Sequence, residues 1–168
     1  MKIILYDVDS LIPNLVLMKL STYHKQKGDD IDIVFGKGNP TDIKYSKFDF
    51  GYAPVVFTKN KEFVSKFPFE IGGSGYDIKK ELAKEIEHLM PDYSIYPENI
   101  YSIGFTTRGC IRNCPFCFVP PKEGLIRFNA NISEFHNSKN KKIKLLDNNI
   151  LAYKDYKNVF EEIRKYNK

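Results

Sequence analysis

The sequence predicts an α/β protein with a parallel sheet. Two observations lead there. Short, β-branched apolar runs alternate with stretches of helical periodicity, as they do where crossover helices join parallel strands. The first run, residues 2–8, is apolar through most of its length rather than alternating, the pattern of a strand covered on both faces. The composition agrees: 42% hydrophobic, 14% aromatic and 28% charged over 168 residues is the balance of a globular chain, which excludes collagen, coiled coil and disorder.

Each element follows in order. Residues 2–8 form the first strand, and Asp9-Ser10 offers a helix cap. Ile12, Leu15, Val16, Lys19, Leu20 and Tyr23 then repeat with helical spacing, and Gly28 is placed to end that helix in a left-handed conformation. Residues 31–35 and 53–58 read as the second and third strands. A short helix follows at 61–67, and a short strand at 69–71 leads into Gly72-Gly73-Ser74-Gly75. Ile78, Leu82, Ile86 and Leu89 mark another amphipathic helix. Residues 1–90 therefore predict one small α/β sandwich, and 91–97, bounded by proline, the connection to a second unit, 98–168. There the alternation restarts: a strand at 102–107, a cysteine loop, a Pro-rich segment at 119–124, a strand at 143–146, and a helix striped by Tyr156, Val159, Phe160, Ile163 and Tyr166.

No stretch approaches the roughly 20 apolar residues of a membrane-spanning helix, and the apolar opening is too short for a signal-peptide core. A cytoplasmic protein without membrane contact is expected. The net charge is +5, with Lys supplying 22 of 26 basic residues. Arg, the residue that grips phosphates bidentately, is scarce, so charge alone does not point to nucleic acid.

Three cysteines within eight residues cannot build a disulfide framework and suggest metal chemistry. They lie in Thr106-Thr107-Arg108-Gly109-Cys110-Ile111-Arg112-Asn113-Cys114-Pro115-Phe116-Cys117, a Cys-x3-Cys-x2-Cys spacing just after a predicted strand. Three thiolates on one loop can hold three corners of a four-iron ([4Fe-4S]) cluster, leaving the fourth iron open to a reactant. The alternatives are a structural zinc, which wants four ligands while the nearest downstream imidazole is His136, and unligated thiols.

The spacing, with aromatic Phe116 just before the third cysteine, resembles the radical S-adenosylmethionine (SAM) superfamily. The lead-in Thr-Thr-Arg-Gly resembles members that carry a cobalamin-binding-type domain ahead of their barrel. The resemblance implies a cobalamin-binding-like sandwich followed by the first β/α units of a radical SAM (β/α) barrel. It implies Cys110, Cys114 and Cys117 as cluster ligands, Phe116 near the adenine of SAM, and the methionyl amino group bound after the second barrel strand. The family often has Gly-Gly-Glu there; this chain has Asp147-Asn148-Asn149, so Asp147 and Asn148 are the expected contacts. In the family the cluster and SAM together start radical chemistry, with electrons from a flavodoxin or ferredoxin. A complete barrel typically needs about 200 residues, so an incomplete barrel, or one finished by another chain, is expected, and catalysis stays open.

Other signals have plainer readings. His24 near a helix end suits the helix dipole. The cobalamin-ligating Asp-x-His-x-x-Gly is absent after the first strand, where the chain reads Asp7-Val8-Asp9-Ser10-Leu11-Ile12. Asp9 is expected to cap the helix. The Gly72–Gly75 run lacks P-loop register and reads as a turn. The Lys-rich run 136–144 reads as a solvated loop, with the backbone of tRNA or another nucleic acid as the alternative. The expected function is radical SAM chemistry on an unidentified substrate; the competing class is a non-catalytic metal-binding remnant or a partner- or nucleic-acid-binding module.

Overall fold

The computed structural model describes residues 1–36 and 43–166, which divide into two compact units, Met1–Pro97 and Glu98–Lys168. The fold is mixed α/β. In the first unit the elements are β1 (Lys2–Asp7), α1 (Leu15–Gln26), β2 (Asp30–Phe35), β3 (Phe50–Pro54), α2 (Lys61–Val64), β4 (Glu70–Gly72) and α3 (Lys84–Glu87). The four strands form one parallel sheet in the order β2-β1-β3-β4.

Alternation along β1 sorts its side chains. Ile4, Tyr6 and Val8 join Ile43, Ala53, Val55, Val64 and Ile71 in one core cluster. Ile3 and Leu5, both fully buried, are left for the face on which α1 lays Leu17, Met18 and Leu20.

α1 starts later than Asp9-Ser10 suggests. Its cap is Asn14, whose Oδ1 accepts from the N–H groups of Val16 and Leu17 at 3.1 and 3.3 Å. Asp9 is engaged elsewhere: its carboxylate accepts from the N–H groups of Val56 and Phe57 and from Asn60 Nδ2, at 2.7–3.0 Å. A local capping signal thus lost to a long-range partner beyond β3. At the other end Gly28, at φ 80°, closes a Schellman motif, with its own N–H on Lys25 O and that of Asp29 on His24 O.

Two elements are displaced. β3 begins at Phe50 because Gly51, which interrupts the apolar run, is required by packing: a Cβ there would stand 2.7 Å from both Ile4 and Phe69. Only one turn of the helix expected across Ile78–Leu89 exists, as α3. Asp77 takes the N–H of Lys79 into a local turn, which competes with helix formation. Lys19, in the apolar stripe of α1, is buried and paired with Glu87 of α3 at 3.1 Å.

The second unit holds β5 (Tyr101–Gly104), β6 (Thr107–Arg108), α4 (Val119–Glu123), β7 (Arg127–Phe128), β8 (Lys142–Leu145) and α5 (Tyr156–Tyr166). β5 and β8 pair in parallel, Tyr101 opposite Lys142 and Gly104 opposite Leu145. The single strand expected over 102–107 is two, because the chain leaves the β5–β8 pair at Gly104 and joins β7 in a short antiparallel pair at Thr107–Arg108. A Cβ on Gly104 would lie 2.4 Å from the buried Phe135 ring, so only glycine lets that ring cover the strand. Ile103, Ile132, Phe135 and Val159 form the buried apolar centre of this unit.

Charge divides unevenly along the chain. Residues 1–97 carry 13 Lys and Arg against 14 Asp and Glu, a net of −1; residues 98–168 carry 13 against 7, a net of +6. Among the described residues no helix is long and apolar enough to cross a membrane.

Candidate cysteine-loop site

The cysteine loop leaves β6 and returns toward β7 through α4. Each residue of the Thr-Thr-Arg-Gly lead-in has a physical task. Thr106 and Thr107, both buried, send their N–H and hydroxyl groups to Asp147, just past β8. Arg108 stacks its guanidinium 3.7 Å from the centre of the Phe105 ring and pairs with Glu123 Oε1 at 3.1 Å. Gly109 turns at φ 82°, where a Cβ would meet Leu125 O at 2.4 Å.

Cys110 is held from both sides. Its N–H donates to Gly124 O at 3.1 Å. Its sulfur accepts from Arg112 N–H at 3.4 Å and from Asn149 Nδ2 at 3.7 Å. The Arg112 N–H is the main cause that lowers this thiol below the ordinary cysteine value; burial opposes it, and the Asn149 amide adds to it. Further along, Cys117 N–H donates to Cys114 O at 3.0 Å, closing a turn with Pro115 at its second position. Phe116, third in that turn, is 91% exposed at its tip. The three thiols are free and half-buried.

Glu123 gathers the loop's entry. Its Oε2 accepts from Gly109 N–H and from Asn148 Nδ2, both at 2.9 Å, and its Oε1 from Arg108. Burial would raise this carboxyl, but the Gly109 N–H and the Arg108 charge outweigh it and hold it below the usual carboxylate range. Asp147 binds three donors through Oδ1 and one, Thr106 N–H, through Oδ2. A carboxylate offers about four acceptor positions, and these four donors match that number, crowded on Oδ1 and sparse on Oδ2.

Cys110, Asp147 and Asn148 are thus joined in one hydrogen-bonded assembly with Asn149 and Glu123. Phe116 is at the loop tip, outside it. Glu123 carried no sequence signal, since its partners lie 14 to 25 residues away. Among the described residues no three His, Cys, Asp or Glu side chains are gathered to ligate a single metal ion. A four-iron cluster makes a different demand, one thiolate per iron at separate corners. The donor set fits it: free thiols on one loop, with N–H groups directed at a sulfur. Comparison with known proteins finds no matching family model, curated protein or solved structure.

Proposed function

We propose that this chain is a radical SAM iron–sulfur protein. In this reading Cys110, Cys114 and Cys117 each ligate one iron of a [4Fe-4S] cluster, and SAM binds against the segment Asp147–Asn149. The observation that carries it is the lacing of that segment to the cysteine loop, through Thr106, Thr107, Glu123 and the Cys110 sulfur. Without such lacing, a loop end 30 residues further along the chain would have no fixed relation to the thiols.

When bound, the cluster supplies the single electron that splits the S–C5′ bond of SAM. The chain's own residues orient and bind. The negative charge of the Asp147 carboxylate suits the ammonium of the methionyl group, with Oδ2 the less engaged of its two oxygens, and the Asn148 side-chain oxygen offers a second acceptor. The exposed Phe116 ring offers a stacking face for adenine. Glu123 and Gly109 fix the backbone from which Cys110 projects.

The first unit is read as a cobalamin-binding-like sandwich lacking the histidine that would ligate cobalt. The β5–β8 pair is read as the opening of the family's barrel. Support comes from the parallel pairing itself, since purely parallel sheets are found as parts of larger structures covered on both faces. A small acidic flavodoxin or ferredoxin is the electron donor this reading requires.

The test is anaerobic reconstitution with iron and sulfide, followed by elemental analysis, EPR of the reduced protein with and without SAM, and detection of 5′-deoxyadenosine. Bound iron, an EPR signal altered by SAM, and 5′-deoxyadenosine are expected. Zinc in place of iron, or folded protein that binds neither, sinks the reading. A cluster without SAM cleavage leaves a cluster-binding protein that is not an enzyme.

A further inference from the structure

The structure treats the cysteines as unequal. Cys110 Sγ receives both a backbone N–H, from Arg112 at 3.4 Å, and a side-chain amide, from Asn149 at 3.7 Å. Asn149 reaches it from a distant part of the chain, 39 residues on. The amide is not there to serve its own backbone, since Asn149 precedes the short turn Ile150–Ala152 and its side chain gives that turn no capping hydrogen bond. Its position is set instead by the two residues before it: Asp147 is pinned to Thr106 and Thr107, and Asn148 to Glu123.

We propose that Asn149 is a positioning residue that tunes the cluster through Cys110, raising the ease with which it accepts an electron; this rests on the cluster reading above. Hydrogen bonds to ligating sulfurs are among the factors that set the reduction potential of iron–sulfur clusters. The physical reason is charge. Reduction adds an electron that is shared onto the sulfurs, and an N–H dipole directed at a sulfur stabilises that added charge. The Arg112 donor belongs to the backbone and survives substitution. The Asn149 donor is a side chain on the segment assigned to SAM, so the group that adjusts the electron acceptor is carried by the strand end that meets the cofactor.

The experiment compares wild type, Asn149→Leu and Asn149→Asp in EPR-monitored redox titrations of the reconstituted protein, without SAM. Leu keeps the approximate size and removes the donor. Asp keeps the shape and replaces the donor with a negatively charged acceptor. The proposal expects the potential to fall from wild type to Leu and further to Asp, with the reduction equilibrium constant about tenfold lower in Asp, or ~59 mV for a one-electron couple. The step from wild type to Leu carries the test, because a carboxylate at this position lowers the potential whatever Asn149 does, whereas a merely structural role predicts equal potentials for wild type and Leu. Equal iron and sulfide content in all three shows that the ligands are intact. A Leu potential equal to or above that of wild type overturns the proposal while leaving the cluster reading in place. Wild-type protein that takes up no iron overturns both.

Discussion

Asp147 shows how much of this site depends on single carboxylates. Its loss would strand two N–H groups and two hydroxyls on Thr106 and Thr107, both buried. An unsatisfied buried polar group costs about 1–3 kcal/mol, and relaxation recovers part of the sum. Asp147→Ala is therefore expected to lose on the order of 3 kcal/mol in urea denaturation, and Asp147→Asn less, since one acceptor oxygen remains. An unchanged midpoint for the Ala variant would count against the network. Glu123 makes a prediction in pH. Its folded carboxyl titrates below the 4.5 of a free glutamate, so ionised Glu123 stabilises the fold fully above that value, and the stabilisation disappears as pH falls through the lower folded value. Glu123→Gln should flatten the acid limb of a stability–pH curve below about pH 5, and a limb of unchanged slope would contradict the assignment. The Cys-x3-Cys-x2-Cys spacing is visible in the sequence. The hydrogen bonds of Glu123 and Asn149 are not, because each reaches partners far along the chain that no local pattern marks.

Among the elements, those with strong periodicity or continuous apolar runs were readable: β1, β2, most of α1, β8 and α5. Misreadings cluster where a single residue answers to tertiary packing. Gly51 interrupts β3 in sequence yet sits inside it, because Ile4 and Phe69 occupy the space of a side chain. The start of α1 was misplaced for a related reason, since Asp9 has the right chemistry for a cap and spends it on the backbone beyond β3. Gly104 tests the point. Gly104→Ala must displace the Phe135 ring, and overpacking of this kind costs about 1–3 kcal/mol. Thermal unfolding should show the loss; a variant as stable as wild type would mean that the ring yields without cost.

For the whole molecule, the α/β class followed from alternation, whereas the strand order β2-β1-β3-β4 could not, because the order depends on which long-range pairs form. Charge was legible only as a total. Its distribution has a consequence for rates. Residues 98–168, which bear the cysteines, carry +6 and residues 1–97 carry −1, so in the radical SAM reading proposed above the second unit by itself attracts an anionic electron donor. Attraction of this kind acts before contact and fades with salt, as the screening length shrinks from ~30 Å at 0.01 M to ~10 Å at 0.1 M. Stopped-flow reduction by an acidic flavodoxin should slow as ionic strength rises, with little change when a small neutral reductant is used. If the proposed reading holds, the balance of lysines against carboxylates in the second unit governs how often such a donor arrives, separately from anything that happens once it has docked.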